Sequence, residues 1–210
     1  MNRSATHIWT TLFLSVVTVS GVQRPAAAQD STAANATFPG RYPYTDADIH
    51  FIAGMIAHHA QAIVMAGWAP THGASKSVRV LCERIINAQT DEITLMQSWL
   101  NDRHQPVPEA TAGPIKMMMN GVEHEMLMPG MLSDEQMKQL DAAQGTEFDH
   151  RFLTFMIQHH KGAVSMVAQL FGTTGAGQDE AIFKFASDVN VDQTTEIDRM
   201  QQMLLTLPRD

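Results

Sequence analysis

MIAHHAQAIVMA, residues 55–66, returns later in the same chain as MIQHHKGAVSMV, residues 156–167. Each copy sets two neighbouring histidines inside an apolar run with methionines at its ends. At 100° per residue, Asp48, Phe51, Ile52, Met55, His58, His59, Ala62, Met65 and Ala66 fall within about 140° of arc. The spacing predicts one amphipathic helix over 45–68, stopped by Pro70 and Gly73. A second follows over 75–100, where Val78, Leu81, Cys82, Ile85, Gln89, Glu92, Met96 and Trp99 recur at steps of three and four. Pro106, Pro108, Gly113 and Pro114 then break the pattern.

The second half repeats the first. Aligning Asp48 with Asp149 superimposes Phe51 on Phe152, Met55 on Met156, His58 and His59 on His159 and His160, and Met65 on Met166. With three extra residues in the loop, QTDEITLM (89–96) aligns with QTTEIDRM (193–200), pairing Glu92 with Glu196 and Met96 with Met200. A lone two-helix hairpin cannot bury a stripe on both helices, whereas two hairpins facing each other can. The expected fold is all-α: an antiparallel four-helix bundle of two repeated hairpins, 45–100 and 148–207, joined by a long Met-rich crossover, 101–147. A capping box, SDEQ at 133–136, announces a short extra helix in that crossover, with Gly145 as its end.

Composition bounds what such a chain does. The N-terminus carries a charged start, an apolar run over 8–22 and the small-residue stretch PAAAQ, which predicts a signal peptide over 1–28 and a flexible leader over 29–44. Removing 1–28 takes two arginines and no acidic residue, so 14 Lys+Arg become 12 against 22 Asp+Glu and the net charge moves from −8 to −10. An acidic chain of this kind is repelled by phosphates, which excludes nucleic acid as a partner. No transmembrane segment is expected once the leader is cleaved, and the protein is placed in the periplasm or outside the cell. Cys82 is the only cysteine, so there is no intrachain disulfide and no thiolate cluster. Any metal must be held by imidazole, thioether and carboxylate.

The fifteen methionines are many for 210 residues, and each one alone is readily explained as a flexible core filler. Four histidines on buried faces are harder to explain, because each ring nitrogen must find a partner or suffer desolvation. Gln89, Glu92, Gln193 and Glu196 lie on the inward arc and offer one answer, a polar layer that binds nothing. Metal is the other answer. Adjacent helical residues diverge by about 100°, so His58 and His59 do not clasp one ion as a pair. Met55 with either histidine makes a local chelate, and Met156 with His159 or His160 repeats it, while facing helices complete the set. Met65, Met166, Met96, Met200, Glu92 and Glu196 are auxiliary candidates. A second group lies in the crossover, where MMMNGVEHEMLMPGM (117–131) holds Met117, Met118, Met119, Met126, Met128 and Met131, with His124 between two glutamates. Thioether is a soft donor and imidazole intermediate, so the combined set favours copper, Cu(I) over Cu(II).

The paired F-x-x-x-M-I-x-H-H-x-x-A-x-x-M stretches, the downstream Q-x-x-E-I-x-x-M and the connecting MPGMLSDEQMKQL resemble the CopM-like family over about residues 46–207. That family is an exported domain in the ferritin-like fold group. The resemblance implies copper binding through Met55, His58, His59, Met156, His159 and His160, with crossover methionines assisting, and a part in periplasmic copper tolerance; the chain is expected not to be an enzyme. The metal ion is then the partner, exchanged with a copper exporter or a cuproprotein. Two other readings stand beside it: a structural or interaction bundle with a polar core, and a ferritin-like di-iron oxidoreductase. The last needs Glu-x-x-His on two helices, and the four predicted helices carry none.

Overall fold

The structure is a computed structural model that describes residues 43–119 and 122–208, without the side chains of residues 117–119, 122 and 124. The expected signal peptide and residues 29–42 of the leader lie outside the described residues, as do the side chains of Met117, Met118, Met119 and His124.

The chain is mostly helical. Helix α1 (Asp46–Gly67) carries the first His-His pair and α2 (Lys76–Asn101) runs back along it. A ribbon of β1 (Ile115–Met119) and β2 (Val122–Met126) and a short helix α3 (Asp134–Asp141) lead to α4 (Gly145–Gly172), which carries the second pair, and α5 (Glu180–Thr206) packs on α4. Helices α1 and α4 also pack on each other, so the two hairpins meet along their histidine helices. The starts of α1, α2, α3 and α5 are written locally, while α4 begins without a side-chain cap. Thr45 and Asp48 form a capping box on α1, Ser75 caps α2, and Asp179 caps α5 through Oδ1.

The repeated aspartates do more than cap. Asp48 Oδ1 accepts the Gly177 N–H of the α4–α5 loop at 2.7 Å. Asp149 accepts the Ser75 N–H of the α1–α2 loop at 3.1 and 3.2 Å. Each hairpin thus grips the turn of the other, and both carboxylates are buried. A second lock sits at the far end of α2, where Asp179 pairs with Arg103 and accepts the Trp99 Nε1–H at 3.1 Å.

The apolar residues gather in two clusters. One holds Met65, Leu81, Ile85, Phe148, Phe152, Met156 and Met200; the other holds Phe51, Met55, Trp99, Met96, Met166 and Phe185. Under the repeat alignment these clusters exchange: Met55 answers Met156, Met96 answers Met200, and Met65 answers Met166. Among the described residues α1 is the one helix long and apolar enough to cross a membrane, but 72% of its apolar window is buried in the fold.

Two expectations about the crossover need correction. The stretch read as a loop forms an antiparallel ribbon, in register from Ile115↔Met126 to Met119↔Val122. Asn-Gly at 120–121, between short β-compatible runs, is the sequence signal for it. Gly145 does not end α3, which stops at Asp141 with Ala142 as its cap; it is instead the first residue of α4, at φ +59°.

The crossover is tied down over the α1–α4 seam by backbone contact. Gly130, at φ +79°, lies against Gly162, and a Cβ on Gly162 would stand 1.9 Å from Pro129 O. Gln61 holds the same segment with both ends of its amide, Nε2 to Leu132 O at 3.0 Å and Oε1 from Leu132 N at 2.7 Å. Gly162→Ala must push the Met128–Leu132 segment off the seam, at roughly 2 kcal/mol for overpacking against rigid backbone. Chemical denaturation checks this, and an unchanged midpoint would contradict the close approach.

Candidate metal centre

Helical phase brings the four histidines to the centre. His58, His59, His159 and His160 are all 0% exposed. Neighbours along one helix diverge, with ring centroids 6.3 Å apart in both His58–His59 and His159–His160. The close pair is formed between helices: His58 on α1 and His159 on α4 lie 3.7 Å apart, centroid to centroid.

Three of the four rings have their Nε2 engaged. His58 Nε2 donates to Pro129 O at 3.0 Å, His59 Nε2 to Glu92 Oε2 at 2.7 Å, and His160 Nε2 to Glu196 Oε2 at 2.8 Å. Carbonyl and carboxylate oxygens only accept, so each of these nitrogens carries a proton, and in a neutral ring that leaves Nδ1 with a bare lone pair. No hydrogen-bond partner meets Nδ1 of His58, His59 or His160, nor either nitrogen of His159. Metal-binding imidazoles have this same arrangement, with one nitrogen held by an oxygen acceptor and the other free to ligate.

The electrostatics keep the central pair unprotonated. Burial, then the neighbouring His59 imidazole, pushes the His58 pKa down to about 3, and the Pro129 carbonyl only partly opposes this. His159 is lowered well below its ordinary value by burial first and then by His58, His160 and His59. Neutral imidazole is the ligating form, so no proton has to leave this pair when a metal arrives. Cys82 is buried, with its thiol pushed up to about 12 chiefly by burial, and offers no thiolate.

The other candidates are distributed around this layer. Met55, Met96 and Met166 lie in one apolar cluster, and Met65, Met156 and Met200 in the other. Glu92 and Glu196 are the acceptors for His59 and His160. Of the crossover residues, Met131 is buried, Met128 half-buried and Met126 exposed. Met126, Met128 and Met166 share a cavity of about 320 Å³ with His50. Sequence reading missed His50, since an exposed polar position on α1 carries no periodic signal. Pro129 was missed as well; its carbonyl matters only because the crossover folds onto the seam.

Among the described residues no three His, Cys, Asp or Glu side chains converge on one point. Two imidazoles supplemented by sulfur are a different matter, since thioethers lie outside that count.

The sequence family described as a domain of unknown function, DUF305, matches residues 48–204. The chain belongs to the DUF305 family. Among curated proteins none is similar enough to count as a relative. Solved DUF305 structures are similar over most of their length. A DUF305 protein from Streptomyces coelicolor is 28% identical, with TM-score 0.62, covering 76% of this chain and 92% of that one. CopM in its Cu(II)-bound form is 28% identical, with TM-score 0.58, covering 75% of this chain and 95% of that one. CopM in its Cu(I)-bound form is 28% identical, with TM-score 0.55, covering 77% and 96%. The resemblance carried by the His-His repeats is thus to CopM-like members of DUF305.

Proposed function

We propose that this DUF305 protein is an exported copper-binding protein that sequesters or carries the metal, and that it is not an enzyme. The observation that carries the reading is the layer of four buried imidazoles with five ring nitrogens that no protein group partners. A buried polar atom without a partner costs about 1–3 kcal/mol, and five in one layer are hard to reconcile with a purely structural polar core. CopM structures with Cu(I) and Cu(II) support the choice of metal, and the Streptomyces relative, described as secreted, supports export.

The four long helices act as an antiparallel four-helix bundle with the ion seated between the hairpins. His58 and His159 are the central ligands. His59 and His160, oriented by Glu92 and Glu196, flank them, and thioethers from Met55 and Met156 supply the soft donors. Imidazole with thioether favours Cu(I) over Cu(II). A copper exporter or a cuproprotein would exchange the metal.

Titration of the purified protein with Cu(I) against a competing chelator tests this. We expect submicromolar binding in the wild type and loss of it when His58, His59, His159 and His160 are replaced together by Ala. Binding no tighter than micromolar in both proteins would remove copper from the account.

A further inference from the structure

The two repeats part ways one helical turn beyond each central histidine. With Asp48 aligned on Asp149, Gln61 falls on Gly162. In the first repeat the side chain reaches out to the crossover. Gln61 is 2% exposed and commits both ends of its amide to Leu132, Nε2 donating to the carbonyl at 3.0 Å and Oε1 accepting the N–H at 2.7 Å. In the second repeat there is no side chain, and Pro129 and Gly130 fill the space; a Cβ on Gly162 would stand 2.6 Å from Gly130 Cα. One copy grips the crossover and the other makes room for it.

What the grip secures is a tight turn. The Met131 N–H closes on Met128 O at 3.1 Å, with Pro129 and Gly130 between them and Gly130 at φ +79°. Proline followed by glycine at positive φ marks a type II turn, whose central carbonyl takes no part in the turn's own hydrogen bond. That carbonyl, Pro129 O, is the one that accepts from His58 Nε2 at 3.0 Å. Gln158 steadies the next carbonyl, Nε2 to Gly130 O at 3.3 Å. His159 receives nothing from the turn, and both of its ring nitrogens lack a hydrogen-bond partner. The repeat makes the two central histidines equivalent; the crossover makes them unequal.

In a neutral imidazole the nitrogen that donates to an acceptor keeps the proton, and the other nitrogen is the one able to ligate. We propose that Gln61 is a positioning residue for the imidazole layer: by fixing the turn at Pro129 it holds the proton of His58 on Nε2 and offers Nδ1 to the ion. Contact passes from the Gln61 amide to the Leu132 backbone, along the chain to Pro129 O, and across to the ring. No equivalent path selects a nitrogen on His159. His59 and His160 are anchored separately by Glu92 and Glu196, so they stand as internal references for any change at Gln61. The consequence for metal affinity rests on the copper reading, whereas the proton position on His58 does not.

Nitrogen-15 spectra of the histidine rings in the metal-free protein near neutral pH read the tautomers directly. Wild-type His58 should appear in the single Nε2–H form with a slowly exchanging ring proton. His58 protonated on Nδ1, or divided between both forms, in the wild type overturns the proposal without any variant having to fold. Gln61→Leu, similar in size but unable to bridge Leu132, should divide His58 between the two tautomers and speed exchange of its ring proton severalfold, while His59 and His160 keep the Nε2–H form. The same variant should weaken Cu(I) about tenfold in competition with a chelator, the low end of the loss seen when a ligand's hydrogen-bond partner is disturbed. A side chain that only stabilises the fold would lower the denaturation midpoint and leave both the His58 tautomer and the Cu(I) affinity at their wild-type values, and that result overturns the proposal. So does a change in His58, His59 and His160 together, which would mean a general loosening of the layer. Absence of Cu(I) binding by the wild type counts instead against the copper function, and the ring spectra decide the role of Gln61 by themselves.

Discussion

Taking the metal-free protein from about pH 7 to about pH 4 should remove roughly 3 kcal/mol of stability through His58 alone, whose pKa is depressed to about 3 in the fold. In the unfolded chain the same imidazole takes a proton near its ordinary value of 6.5. Between those two values the unfolded state binds the proton and the folded state refuses it. The stabilisation is complete above pH 6.5 and is lost as pH falls towards 3. His159 is shifted in the same direction by the same burial and adds to the loss. Asp192, shifted upward, works in the opposite sense, but only between its raised folded value and its ordinary 3.8, and from an exposed position. Since a domain has only about 5–15 kcal/mol in total, unfolding before pH 4 is a reasonable expectation. Urea denaturation at a series of pH values checks this. A midpoint that stays flat between pH 6.5 and 4 would mean that these imidazoles are not desolvated as the fold places them. Copper bound to the neutral rings should hold the protein folded to lower pH, because metal and proton compete for the same nitrogens.

His159→Leu should separate stability from function. Both ring nitrogens of His159 are buried without a partner, and leucine is close to imidazole in volume. Removing two unsatisfied polar atoms should raise the stability of the metal-free protein by about 2 kcal/mol. The same change removes one half of the His58–His159 pair, whose rings are 3.7 Å apart, and should weaken copper binding a hundredfold or more. Thermal melts without metal and competition titrations with it give the two numbers. A structural polar layer would show no such trade: the variant would melt higher and bind exactly as much or as little copper as before. A variant that melts lower would mean that the contact of His159 with the His58 backbone, which opposes its burial, is enough to satisfy it.

Much of this was legible in one dimension. The two His-His helices with starts near Thr45 and Ser75, the capping box at Ser133, and the inward place of Glu92 and Glu196 follow from period, cap chemistry and the internal repeat. Divergence of adjacent helical residues was also readable, and the 6.3 Å separation within each histidine pair agrees with it. The crossover was not. Asn-Gly at 120–121 was a hairpin signal that the reading of the methionines passed over, and Gly145 fits the end of one helix as well as the start of another. His50 and Pro129 carried no signal, because a surface side chain and a backbone carbonyl leave no mark on periodicity.

The sequence by itself determined which side chains face inward, since helical phase depends only on spacing, and it determined the donor chemistry, since that depends only on residue type. Tertiary structure decided which donors meet. His58 finds His159 rather than His59, and its Nε2 finds Pro129, because two glycines let the crossover backbone press onto the α1–α4 seam. Contacts between segments so far apart in the chain are set by how hairpins pack, and no local pattern encodes them.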